Sequence, residues 1–138
     1  MATTDSIKEM LGNVRLRHSA TILDEVLKNA TDKALSYEKF LESLLNREIK
    51  SREEKKFERL IKQANFPEYQ TLDKFDISEQ ESLSKRQLNQ LKELTWIEQG
   101  FNLILLGPPG VGKTMLSIGL GIHAIQNGYK AVFTTMHD

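Results

Sequence analysis

Residues 107–114 read Gly-Pro-Pro-Gly-Val-Gly-Lys-Thr, and no other stretch of the chain constrains the fold as strongly. The octapeptide fits G-x-x-x-x-G-K-[ST], a loop that curls backbone N–H groups around a polyphosphate. Gly107, Gly110 and Gly112 give the backbone the freedom to approach that closely. Pro108, Pro109 and Val111 complete the turn. Lys113 is placed to reach β- and γ-phosphates, and the Thr114 hydroxyl is placed to ligate Mg²⁺. A helix that opens near Gly112 adds the positive end of its dipole. The loop therefore implies a nucleotide such as ATP with Mg²⁺.

Such a loop has a required setting: a strand must lead in and a helix must lead out. Phe101-Asn102-Leu103-Ile104-Leu105-Leu106 is a nearly continuous apolar run ending at Gly107, which reads as a buried parallel strand. Thr114 to Asn127 carries Met115, Leu116, Ile118, Leu120, Ile122, Ala124 and Ile125, apolar residues all round a predicted helix. Gly128 is its expected stop. Tyr129-Lys130-Ala131-Val132-Phe133-Thr134-Thr135 then reads as a second strand. The expected fold class is α/β, with strand, loop, helix and strand forming one βαβ unit.

The chain has 138 residues, with 19 basic and 19 acidic side chains. That balance points to neither a nucleic acid nor a membrane surface. There is no cysteine, which excludes disulfides, thiolate metal sites and cysteine nucleophiles and suits a cytoplasmic protein. The opening Met1-Ala2-Thr3-Thr4-Asp5-Ser6 has no basic and apolar leader pattern. No apolar stretch approaches the roughly 20 residues that span a bilayer, so no membrane partner is expected.

Ahead of the loop the sequence reads as helical. Ser6-Ile7-Lys8-Glu9 fits a capping box. Ile7, Met10, Leu11 and Val14 form one stripe, Ile22, Leu23, Val26 and Leu27 a second, and Tyr37, Phe40, Leu41, Leu44 and Leu45 begin a third that runs to about Ala64. Together they predict a small helical bundle. Along the third helix Arg47, Lys50, Arg52, Lys55, Lys56, Arg59 and Lys62 alternate with Glu48, Glu53, Glu54 and Glu58. That pattern fits a solvated face with i,i+4 pairs such as Glu48–Arg52, and it also fits a face turned to phosphate or a partner.

Asn65-Phe66-Pro67 ends this helix. A connector follows, with Leu72 and Phe75 placed to pin it. Ser84 to Gln87 reads as a second capping box with a Leu83–Leu88 staple, opening a helix through about Gln99 that Gly100 stops. Trp96 reads as a packed residue. His18, His123 and His137 are scattered and suggest neither a metal site nor acid–base chemistry.

Three stretches in this order resemble the IstB-type ATPases that assist insertion-sequence transposases. They are Leu35-Ser36-Tyr37-Glu38-Lys39-Phe40-Leu41; Gln63-Ala64-Asn65-Phe66-Pro67 with Leu72-Asp73-Lys74-Phe75-Asp76; and Gly100-Phe101-Asn102-Leu103 running into the loop. DnaC-type helicase loaders are similar in layout and supply the alternative reading. The resemblance implies an AAA+ module behind a helical front, ATP-dependent self-assembly into a homo-oligomer, DNA binding and help to a transposase. It implies that Gly107 to Thr114 hold the nucleotide and that the connector from Phe66 to Phe75 packs near the adenine.

The expected organisation is a helical N-terminal domain over 1–66, a connector over 67–83 and an incomplete P-loop NTPase domain over 84–138. AAA+ hydrolysis uses an acidic Walker B pair, a polar sensor and an arginine from a neighbour. In the resemblance these lie beyond the second predicted strand, whereas this sequence ends at Asp138. The sequence is therefore expected to be a truncated, amino-terminal part of such a protein, with nucleotide binding rather than turnover as its expected activity and no catalytic residue assigned.

Overall fold

The computed structural model describes residues 2–136, including six α-helices and two short 3₁₀ turns. Helices α1 (Ala2–Asn13), α2 (Arg17–Asp32) and α3 (Tyr37–Ala64) form the front of the chain. The 3₁₀ turns Leu72–Lys74 and Ile77–Glu79 shape the connector. Then come α4 (Lys85–Lys92), α5 (Thr95–Glu98) and α6 (Lys113–Gln126). The chain divides into two compact units, Met1–Lys56 and Phe57–Asp138. Helix α3 contributes Tyr37–Lys56 to the first and Phe57–Ala64 to the second.

The first unit, Met1–Lys56, packs α2 against α3, while the end of α3 that was expected to belong with it packs in the second unit. Ile22, Leu23 and Val26 of α2 are buried with Leu44 of α3, and Leu11 and Phe40 pack against them. The helices end sharply without glycine. Arg15 and Ala34 adopt left-handed φ values of 65° and 50°, and the residue after each donates to the carbonyl five positions back: Leu16 N to Leu11 O at 2.7 Å and Leu35 N to Ala30 O at 2.9 Å. This is the Schellman closure, here at side chains that pay a steric penalty for it.

The expected cap at Ser6 is a correction. Helix α1 already begins at Ala2, so Ser6 lies inside it, where the N–H groups that follow have helical acceptors.

In the second unit, α6 is buried along nearly its whole length, through Leu116, Ile118, Gly119, Leu120, Ile122, Ala124 and Ile125. One cluster joins Leu116 and Leu120 to Phe75 of the connector and Leu88 of α4. Another joins Ile125 to Leu60 and Ala64 at the end of α3, with Phe66 and Ala131 beside them. The connector is strapped along α6 by close approaches that only glycine permits. A Cβ on Gly121 would stand 2.8 Å from the Phe66 ring, one on Gly119 2.6 Å from Leu72 Cδ2, and one on Gly112 3.2 Å from Phe75 Cε2.

Ser84 caps α4 as predicted, with its hydroxyl accepting from Gln87 N and the Gln87 side chain accepting from Ser84 N. The helix expected to reach Gln99 instead breaks at Leu94, which is buried with φ 62°. The Trp96 indole N–H donates to Leu91 O at 2.9 Å, a carbonyl that also accepts from Leu94 N at 3.2 Å, and so ties α5 to the end of α4. Gly100 and Gly128 stop α5 and α6 at φ 75° and 91°.

The expected βαβ unit is not present among the described residues. Neither 101–106 nor 129–135 is a strand. A strand is defined by its ladder, and three N–H groups of these runs are bonded elsewhere. Phe101 N closes α5 on Trp96 O, Tyr129 N closes α6 on Ala124 O, and Phe133 N donates to Ala64 O at the end of α3 at 2.7 Å. The apolar run was also expected to be buried, yet Ile104 and Leu106 are 76% and 88% exposed. Hydrophobicity marks a segment as needing cover, but the ladder partner is set by distant backbone.

Candidate functional site

The loop assembles as its residue types require. Gly110 and Gly112 sit at φ 87° and 92°, values that side-chain-bearing residues adopt at a cost. Gly107 lies where a Cβ would stand 3.1 Å from Val111 Cγ2, so its lack of a side chain lets the curl close. Lys113 is the first residue of α6 and folds back over the loop. Its ammonium donates to Gly107 O and, at 2.8 Å, to Pro108 O. Thr114 stands exposed on the first turn.

The start of α6 suits an anion. The first helical bond with an N–H in this turn is Leu116 N to Gly112 O at 2.9 Å, so the N–H groups of Lys113, Thr114 and Met115 have no intrahelical acceptor. No side chain caps them, and the first turn holds no acidic residue to offset the positive helix end. Two left-handed glycines, one ammonium and an uncapped helix start thus converge on one curl. These residues fit a polyphosphate. For a divalent cation they supply one hydroxyl, that of Thr114.

Two recesses open beside the loop. One of about 560 Å³ is lined by Lys113, Thr114 and Ser117 together with Phe101, Leu103 and Tyr129. That volume lies within the range of small-molecule and cofactor sites. The other, about 180 Å³, is lined by Phe75, Gln80, Leu83, Val111 and Gly112. The connector thus reaches the loop at Phe75, while Phe66 packs against Gly121 further along α6.

Side chains around the site are tied by contacts that no sequence pattern announces. His123 bonds Lys92 O through Nε2 at 2.7 Å and links α6 to the end of α4. The Tyr129 hydroxyl donates to Glu98 at 2.6 Å, and this bond holds its pKa above the usual tyrosine value. The Thr71 hydroxyl and the amide of Asp73 itself hold the Asp73 carboxyl below the usual range. His137 and Asp138 lie outside the described residues. Among those described, no three His, Cys, Asp or Glu side chains gather as a metal site, and no helix is long and apolar enough to cross a membrane.

Comparisons with known proteins place the chain in a family. The family described as "IstB-like ATP binding protein" matches residues 9–138. A Bacteroides fragilis (strain YCH46) protein, named as an ATP-binding protein of an IS21-like insertion sequence, is 36% identical over 132 residues, covering 96% of this chain and 66% of the relative. The Pseudomonas aeruginosa protein named for insertion sequence IS21 is 35% identical over 127 residues, 92% of this chain and 48% of the relative. The Geobacillus stearothermophilus protein named for IS5376 is 41% identical over 104 residues, 75% and 41% of the two chains. The chain thus spans between two fifths and two thirds of the length of these relatives. On the family match over residues 9–138, this chain belongs to the IstB-like ATP-binding proteins.

Proposed function

We propose that this chain binds ATP through Gly107, Pro108, Pro109, Gly110, Val111, Gly112, Lys113 and Thr114, as the nucleotide-holding part of an IstB-type helper of DNA transposition. The observation that carries the reading is the Lys113 ammonium folded into a glycine curl at an uncapped helix start. With a triphosphate bound, Lys113 would exchange the carbonyls of Gly107 and Pro108 for phosphate oxygens. The N–H groups of the first turn of α6 bind its oxygens. The Thr114 hydroxyl provides one oxygen ligand to Mg²⁺, which neutralises phosphate charge.

The reading is binding rather than turnover. The first turn of α6 has no carboxylate, so the loop itself offers no group to orient an attacking water. DNA, a transposase and further copies of the chain are the partners proposed for the whole protein, on the strength of the insertion-sequence names its relatives carry. In the same reading, 101–106 and 129–135 are strand-ready, and their exposed apolar side chains and free backbone groups favour pairing with additional extended backbone.

Calorimetric titration with Mg·ATP tests the assignment. Lys113→Ala should lose affinity by about a hundredfold, as expected when the charge-assisted bonds of a cation to phosphate are removed. Thr114→Ala should keep most nucleotide affinity but lose its dependence on Mg²⁺. Undiminished ATP binding by Lys113→Ala would sink the reading.

A further inference from the structure

Of the chain's asparagines only Asn127 precedes a glycine. The backbone nitrogen that follows an asparagine can attack its side-chain amide, and a glycine puts no Cβ in the way. Asn127 is the C-cap of α6, and Gly128 is the stop behind it. Both are exposed. A Cβ built on Gly128 would meet nothing within 4 Å among the described residues, so the glycine faces open space.

The fold holds this reactive pair apart. Closing a five-membered ring requires Gly128 N to eclipse Asn127 Cβ about the Cα–C bond. Asn127 has φ −101° and ψ 17°, so Gly128 N nearly eclipses the backbone nitrogen of Asn127 instead. The Gly128 N–H donates to Ile125 O at 3.1 Å, and Tyr129 N donates to Ala124 O at 3.0 Å. The side-chain amide is occupied as well, with Nδ2 donating to His123 O at 2.8 Å. Ring closure must turn ψ out of the helical region and give up these bonds. It therefore proceeds only when the last turn of α6 opens.

We propose that Asn127 is a deamidation site gated by opening of the last turn of α6. In the open turn Gly128 N gives its proton to solvent and attacks Asn127 Cγ. The N–Cγ bond forms, the Cγ–Nδ2 bond breaks, and Nδ2 takes up a proton and leaves as ammonia. Water then adds to either carbonyl of the succinimide ring and opens it. One product is aspartate. The other is isoaspartate, whose main chain runs through the former side chain. Aspartate places a negative charge at the negative end of the helix. Isoaspartate adds a methylene to the main chain where the closure made by Gly128 and Tyr129 hands α6 over to 129–135. Either product loosens the turn that set the rate. The site lies at the opposite end of α6 from Lys113 and is independent of the nucleotide reading.

Incubating the whole chain in mildly alkaline buffer, with peptide mapping over time, reads both site and rate. In guanidinium chloride, aspartate and isoaspartate should appear at 127 before any other asparagine changes. In the folded chain the same site should change at least about tenfold more slowly. The exchange protection of Tyr129 N–H in the folded chain should match that slowing, because one opening exposes both. Ile125→Ala removes a side chain packed with Leu60 and Ala64 and leaves the reacting pair intact. It should speed the folded reaction several-fold and leave the denatured rate unchanged. Asn127→Gln should end the reaction, because the longer side chain closes a six-membered ring less readily. Lys113→Ala should deamidate at the parent's rate, which separates this site from the nucleotide reading. The proposal is overturned if another asparagine reacts first in the denatured chain, or if position 127 never changes in the folded one. It is equally overturned if folding does not slow the reaction, or if Tyr129 N–H exchanges freely while Asn127 stays protected.

Discussion

In residues 1–56 the buried polar groups answer one another. In residues 57–138 much of the backbone is left to find partners elsewhere. Helix α2 has Leu16 at its N-cap, which offers no side-chain acceptor. Glu48 of α3 takes over the task from a distance: its carboxylate accepts from Ser19 N at 2.7 Å and from Ser19 Oγ at 3.0 Å. Ser19 is 0% and Glu48 4% exposed, so one buried carboxylate joins two helices and caps one of them. Among the described residues the second unit has no such lock. It is held by apolar clusters on α6 and by a strap whose contacts depend on glycines, while 101–106 and 129–135 make no ladder. Helices satisfy their own backbone, so a helical unit closes with side chains alone. Extended segments do not, and their order depends on non-local pairing.

The largest expected effect tests the lock. Glu48→Ala leaves a buried N–H and hydroxyl without an acceptor and should cost about 3 kcal/mol. Amide exchange should quicken across α2, while ATP affinity should change by less than about twofold, since Glu48 and the loop share no hydrogen-bond partner. A comparable loss of nucleotide binding would break the contrast between the units. Glu48→Gln keeps an acceptor oxygen and should cost less, about 1 kcal/mol.

The strap is tested by Gly121→Ala. The added methyl meets two atoms of the Phe66 ring at 2.8 Å. Overpacking should outweigh the gain in helix propensity and lower stability by about 1–2 kcal/mol in thermal unfolding. Phe66→Leu in the same chain should recover part of it. An unchanged melting temperature for Gly121→Ala would show that the strap yields freely.

The smallest effect is local. Ser84→Ala removes half of a capping box and should destabilise by about 1 kcal/mol, with faster exchange at the start of α4. If the loss appeared at α2 instead, the two units would be coupled.

Much of this was legible beforehand, and the reasons are particular. The loop 107–114 could be read because its chemistry is carried by residue types at fixed spacing. The packing of Ile22, Leu23 and Leu44 followed from helical periodicity, and the Ser84 cap from a motif four residues long. Glu48 was legible only as one charge in a mixed run, where it was paired with Arg52. That pair exists at 3.6 Å, but the burial of Glu48 and its bonds to Ser19 come from α2, which the run does not contain. The break at Leu94 was invisible because Leu88, Leu91, Leu94 and Ile97 keep helical spacing through it. The βαβ reading of 101–106 and 129–135 took apolar runs as strands without evidence of what they pair with.

By itself, then, the amino-acid order determined where helices form, where several of them stop, and that an ammonium and three glycines meet in one short loop. Those outcomes depend on hydrogen bonds and sterics reaching no more than a few residues along the chain. Only the tertiary structure decided that a carboxylate from α3 caps α2, that Phe66, Leu72 and Phe75 lie against Gly121, Gly119 and Gly112, and that the two extended runs remain unpaired. Each of these depends on which distant backbone arrives beside a group, and local propensity carries no record of that.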